Sequence, residues 1–188
     1  MEPAEHTDVL VCGAGPVGLL IALGLAQQGI HTLLIGNDSK PRNNVICLFI
    51  DQIIEKRERQ VQEMFGRACT LYPRTLELLE QTHVIDDMTQ VGFTGRTYAV
   101  YRDGKRVARK AWQSMLPLMD SSFHNYLLNI RQKSSEDIFA SRYKTQFNRS
   151  VYHGWELEDY KVDAGLGDGY NITASITHAT LGQRAVRW

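Results

Sequence analysis

The sequence predicts an α/β fold, with a βαβ unit at the N-terminus that is interrupted further on by a sheet-bearing region. Three observations carry this. An aliphatic run, Val9 to Val11, leads straight into Gly13-x-Gly15-x-x-Gly18. That glycine cluster opens a helical stretch, Leu19 to Gln28, which stops at Gly29. A second aliphatic run, Ile30 to Ile35, follows at once. Beyond it the expected order is helix, hairpin, helix and β-meander, which is not a plain doubly wound repeat.

Each glycine of the cluster has its own physical reason. Gly13 permits the tight turn out of the first strand. Gly15 lets the backbone approach a pyrophosphate with no Cβ in the way, and Gly18 lets the helix sit close on the sheet. A pyrophosphate would rest on the helix N-terminus, where free N–H groups and the macrodipole favour an anion. A lone GxGxxG is weak, but strand, turn, helix and second strand together are the context that the motif requires. The unit reads as a Rossmann-like dinucleotide site.

One position breaks the pattern. A dinucleotide site places an acid at the end of the second strand, about 20 residues after the motif, to hold the adenosine ribose. In this sequence Gly36 stands there.

Composition excludes several classes. The 188 residues suit one domain, or one domain plus part of another. A hydrophobic fraction of 43% supports a core. Twenty-one basic residues balance twenty-one acidic ones, so charge gives no case for nucleic acid or an anionic membrane. Cys12, Cys47 and Cys69 lack CxxC spacing, and the six histidines show no HxxxH or HExxH pairing, so no disulfide framework or metal site is expected. No signal peptide is legible in "MEPAEHTDVL", and no apolar run reaches the length of a span. A cytoplasmic chain is expected.

Downstream, "GRACTLYPRTLELLEQTHVIDDM" (66–88) reads as a loop entering a helix. Pro73 suits the first turn, and Leu76, Leu78 and Leu79 suit a buried face. "TGRTYAVYRDGKRVARKAW" reads as a hairpin turning at Asp103-Gly104. A helix from Ser135 to Tyr143 follows, capped by Ser134 or Ser135 with Glu136 and Asp137 in its first turn. "YHGWELEDYKVD" and "YNITASITHAT" read as a β-pair joined by the Gly-rich "AGLGDG".

The segments "DVLVCGAGPVGLLIALGLAQQGIHTLLI", "GRACTLYPRTLELLE" and "LLNIRQKSSEDIF", in this order, resemble the N-terminal part of the FAD-dependent aromatic hydroxylases. The phenol 2-monooxygenase-like branch, with the p-hydroxybenzoate hydroxylase fold, is the most similar. The resemblance implies an FAD-binding βαβ region over 1–90 and the start of a substrate-domain sheet over 91–120. A return segment and helix of the FAD domain would follow over 121–150, then a β-meander over 151–188, leaving the fold incomplete. It also implies that Gly13, Gly15 and Gly18 cradle the FAD pyrophosphate. Arg67 would lie on the flavin-side phosphate and ribityl region, and Gln132 would hydrogen-bond the ribityl chain; Arg131 is a weaker candidate. Tyr98, Tyr101 and His124 fall in the region that faces substrate in the family, yet core or surface roles suit each better. No catalytic acid or base is read.

In the family the second strand ends in a "hhIEKR" pattern whose Glu takes the ribose hydroxyls. Here that text comes later, as "IIEKRERQ", with Glu55 standing 37 residues beyond Gly18. Removing 36–54 joins "HTLLI" to "EKRERQ" and brings Glu55 to 18 residues after Gly18. The expectation is an insertion at about 36–54, read as a retained intron translated in frame. The competing readings are a genuine insertion, or Asp38 as the ribose acid.

The function so implied is FAD-dependent hydroxylation of a phenolic small molecule with NADPH and O₂, by the chain or by the longer protein of which it is a fragment. The alternatives are a truncated or mis-spliced chain that binds FAD weakly or not at all, and an NAD(P)-binding module. The module leaves the second and third motifs unexplained. A homo-oligomer is possible.

Overall fold

In chain order the elements are β1 (Val9–Cys12), α1 (Pro16–Gln27), β2 (Thr32–Gly36), β3 (Thr70–Leu71), α2 (Pro73–Glu80), α3 (Ile85–Val91) and β4 (Phe93–Gly95). They continue with β5 (Val100–Arg102), β6 (Lys105–Ala108), β7 (Leu127–Asn129), α4 (Gln132–Phe147), β8 (Tyr152–His153), β9 (Trp155–Val162), β10 (Ile172–His178) and β11 (Gly182–Arg187). The structure, a computed structural model, describes residues 6–36, 69–96, 99–108, 119–163 and 171–188. Glu55, Arg67, Cys47, Tyr98, the inserted stretch beyond Gly36 and the "AGLGDG" link lie outside the described residues. Two compact units divide the chain, Met1–Glu63 with Phe139–Trp188, and Met64–Ile138.

The first unit is built on a parallel sheet in the order β1-β2-β8, with Leu10 opposite Leu33 and Cys12 opposite Ile35. Both faces of β2 are buried from Thr32 to Gly36. This follows from what covers them, as parallel sheets require. On one face Leu10, Leu33 and Ile35 pack with Trp155, Ala174, Ile176 and Val186 of the antiparallel sheet β9-β10-β11. On the other lies α1, whose Leu19, Ala22 and Leu23 are fully buried. Tyr143 of α4 donates its hydroxyl to the carbonyl of Thr32 at 3.1 Å, tying that helix to the start of β2.

The second unit holds the antiparallel sheet β3-β7-β4 and the hairpin β5-β6. Pro73 occupies the start of α2. Two carboxylates on α2 grip the segment that precedes β7. Ser122 donates to Glu77 at 2.7 Å, and His124 Nε2 meets Glu80 at 2.9 Å. At the hairpin tip Asp103 and Gly104 both adopt positive φ (48° and 73°), the backbone that a tight two-residue turn demands.

Several expected boundaries move. Helix α1 begins at Pro16 rather than Leu19, because proline without an N–H fits the first helical position. Helix α4 begins at Gln132, so Ser134 and Ser135 are inside its first turn and do not cap it. The Ser135 amide already bonds the carbonyl of Arg131 at 3.1 Å. The 66–88 stretch yields two helices, broken at His83 with φ 55°. "YHGWELEDYKVD" is also divided. Tyr152 and His153 extend the parallel sheet beside β2, and only the part beyond Gly154 pairs with β10. A third meander strand, β11, adds to the expected pair.

Candidate functional site

The site starts where β1 ends. Gly13 takes φ 112°, a conformation closed to most side chains, and its amide donates to the Ile35 carbonyl at 2.8 Å. The chain then turns, and Gly15 stands at the N-cap of α1 in an extended conformation (φ −73°, ψ −174°). The glycine N-cap offers no side-chain cap, and no acid occupies the first turn of the helix. The helix's own first turn thus leaves its partial positive charge without an anion of its own. Gly18 completes the cradle, because a Cβ there would overlap the carbonyl oxygen of Gly13. These features fit an anionic diphosphate, and they bring the three predicted glycines to one turn.

At the end of β2 the geometry explains what Gly36 does. A Cβ on Gly36 would lie 2.8 Å from the Cβ of Ala14, in the same glycine turn. The position where a ribose acid is expected is therefore closed against the turn, and Gly36 supplies backbone only. Its carbonyl accepts from the Gly154 amide at 2.7 Å, and His153 lies opposite it in the sheet. Gly154 has φ 79°, and a Cβ there would lie 2.6 Å from His178 Nε2. The His178 ring is fixed in turn. Its Nδ1 accepts from the amides of Thr180 (3.1 Å) and Leu181 (3.2 Å), which places the ring proton on Nε2.

In the second unit Gln132 is the first residue of α4 and is buried, its Nε2 donating to Glu136 Oε1 at 2.9 Å. Tyr101 is exposed on the hairpin. His124 is buried between two partners, Glu80 at Nε2 and the Tyr126 hydroxyl at Nδ1 (3.2 Å). Burial raises the Tyr126 phenol above its ordinary value, and the carboxylates of Glu80 and Asp86 add to the shift. Among the described residues no group of three or more His, Cys, Asp or Glu is placed to hold a metal, and no helix is long and apolar enough to cross a membrane.

Sequence reasoning missed the close approaches of Ala14 and His178 and the pairing of Glu136 with Gln132. For Glu136 a signal existed, the Gln132-x-x-x-Glu136 spacing that puts both side chains on one helix face. The other two arise from close approaches that no local pattern records.

Residues 6–187 match the model of the FAD binding domain family, and the chain belongs to that family. It is similar to an FAD-dependent monooxygenase of Aspergillus terreus, 29% identical over 185 residues, which are 98% of this chain and 22% of that protein. It is also similar to the rifampicin monooxygenase of Rhodococcus hoagii, 24% identical over 89% of this chain and 30% of that one. The chain therefore spans roughly a quarter of the length of these relatives. Among solved structures, p-nitrophenol 4-monooxygenase PnpA from Pseudomonas putida DLL-E4 superposes with a TM-score of 0.70 at 20% identity, over 98% of this chain and 40% of that one. The flavin-dependent monooxygenase PieE in complex with FAD and substrate gives 0.70 at 20% identity, over 99% and 29%. The fold is similar to the corresponding part of these FAD-dependent monooxygenases.

Proposed function

We propose that this chain is the FAD-binding N-terminal part of a flavin-dependent monooxygenase that hydroxylates a phenol-like ring with NADPH and O₂. The observation that carries the reading is the start of α1, with a glycine N-cap and no acid in its first turn, behind the Gly13–Gly15–Gly18 turn, in a chain of the FAD binding domain family. In this reading residues 1–90 and 121–150 form an interrupted Rossmann-like FAD domain. Residues 91–120 begin the substrate domain, and 151–188 form the β-meander, which packs on the β1-β2-β8 sheet.

Bound FAD would supply the redox and oxygen chemistry, one oxygen atom of O₂ entering the ring and the other leaving as water while NADPH is oxidised. The chain's own residues bind and orient. The amides at the start of α1 hold the pyrophosphate, with Gly15 leaving room for close approach. Gln132 hydrogen-bonds the ribityl chain, and Arg67 meets the flavin-side phosphate. Because Gly36 offers no side chain, the ribose hydroxyls fall to Glu55 if its segment returns to the end of β2. The phenolic substrate rests on the family resemblance, supported by the name of PnpA, a p-nitrophenol monooxygenase.

The test is to purify the 188-residue chain and identify what it retains. Yellow protein that releases FAD on denaturation, and that leaves NAD(P)H unbound when flavin-free, supports the proposal. Colourless protein that takes up NAD(P)H but not FAD overturns it in favour of a nicotinamide-binding module. Binding neither marks a chain that does not hold the cofactor by itself.

A further inference from the structure

We propose that the His178 ring is a positioning residue that holds the end of β2 against the glycine turn, acting through the backbone of Gly154 and Gly36. The consequence for FAD rests on the reading that the turn holds the pyrophosphate.

His178 closes β10 and lies opposite Trp155 in the meander. Trp155 is 1% exposed and packs on the ring, with centroids 5.2 Å apart. Nδ1 accepts from the Thr180 and Leu181 amides, and the Thr180 hydroxyl lies 3.1 Å from the same nitrogen. An apolar ring would fill the space, but an acceptor at this atom is what lets the turn after β10 fix the rotation. The Nε2 edge then stands 2.6 Å from where a Cβ on Gly154 would be.

Gly154 is the one residue between β8 and β9, where the chain passes from the parallel sheet to the meander. Its φ of 79° is one of many conformations open to glycine, so something outside it must select that one. The His178 ring does so by filling the space on that side. In the conformation so held, the Gly154 amide donates to the Gly36 carbonyl at 2.7 Å. One residue back, the Ile35 carbonyl accepts from the Gly13 amide at 2.8 Å, and Gly36 itself abuts Ala14. The last two carbonyls of β2 thus serve opposite neighbours, the glycine turn after β1 and Gly154 after β8. All these residues belong to one compact unit. Close-packed contacts of this kind pass a displacement on, so a loosened Gly154 loosens the turn.

Two amides report the link without any cofactor. The chain has one His-Gly and one Cys-Gly pair, His153–Gly154 and Cys12–Gly13. Carbonyl-¹³C histidine or cysteine combined with ¹⁵N glycine therefore gives each amide its own correlated signal. In His178→Ala both amides should exchange with solvent at least about tenfold faster than in the parent, relative to the rest of the sheet. His178→Phe keeps the bulk but not the acceptor, so both amides should again exchange faster. Tyr143→Phe loosens the opposite end of β2, at Thr32, and should leave both rates unchanged. A Gly13 rate that is unchanged in the His178 variants, or raised equally in Tyr143→Phe, overturns the proposal. FAD titration then reads the consequence. His178→Ala should weaken FAD about fivefold, whereas Tyr143→Phe should stay within about twofold of the parent. Equal affinity in the parent and His178→Ala would make His178 merely structural. If the parent chain takes up no FAD, the proposed function fails, and the two amides still decide whether His178 holds the turn.

Discussion

Gly18 sits so close beneath Gly13 that a Cβ on the former would overlap the carbonyl oxygen of the latter. The obstacle is backbone, which cannot swing aside as a flexible side chain could. Gly18→Ala should therefore cost about 3 kcal/mol or more, at the upper end of overpacking. Six residues on, in the same helix, a Cβ on Gly24 would meet nothing within 4 Å among the described residues. There the same change should stabilise by about 0.8–1.0 kcal/mol, the helix-propensity difference. Urea unfolding of the two variants checks the opposite signs.

Gly15 tests cofactor binding at the start of α1. Its extended backbone at the N-cap is open to any residue, but the position is buried. Gly15→Asp would place a carboxylate over the first amides of the helix. Capping those amides offsets only part of the cost of burying the charge, so stability should fall by about 1–3 kcal/mol. FAD affinity should fall at least about a hundredfold, because that carboxylate competes with and repels the pyrophosphate. Thermal unfolding and a flavin fluorescence titration on one preparation read both.

The contact between Gly36 and Ala14 predicts a coupled pair. Gly36→Ala should destabilise by about 1–3 kcal/mol through the crowded methyls. Adding Ala14→Gly should recover more than half of that loss, although each change alone is unfavourable. A cycle of chemical denaturation midpoints measures the coupling, and strict additivity would contradict the close approach.

The Glu77 carboxyl is held below its ordinary value of 4.5, first by the hydrogen bond from Ser122 and then by Arg74. A depressed carboxylate contributes stability above its unfolded-state pKa, and loses it as pH falls through the lower folded-state value. Ser122→Ala should therefore be less stable than the parent at neutral pH. The difference should shrink as pH falls below about 4.5 and vanish under the folded-state pKa. Denaturation series from neutral to acid pH give the comparison.

What the sequence revealed and what it hid divide along physical lines. The β1–α1–β2 unit was legible because local rules demand those residues. Gly13 needs positive φ, Pro16 suits a helix start, and Gly29 closes the helix at φ 78°. The Asp103-Gly104 turn was legible for the same reason. The strands β3, β4, β7 and β8 run only two or three residues, too short for any periodicity, and exist because distant partners pair with them. Gln132 was named from a motif, but its link to Glu136 needed the helix to begin earlier than the serines suggested. Gly36 looked like a lost acid in the sequence. In the fold it is a position with little room for any side chain beside Ala14.

The most direct test of the account is a calorimetric titration of the 188-residue chain with FAD and, separately, with FMN. FMN has the same flavin and ribityl chain but lacks the pyrophosphate and adenosine that the glycine turn is proposed to hold. The account predicts saturable FAD binding, with FMN weaker by about two orders of magnitude, the loss of a charged contact at a helix N-terminus together with the adenosine. Equal affinity for the two, or FAD binding that Gly15→Asp leaves intact, would contradict it.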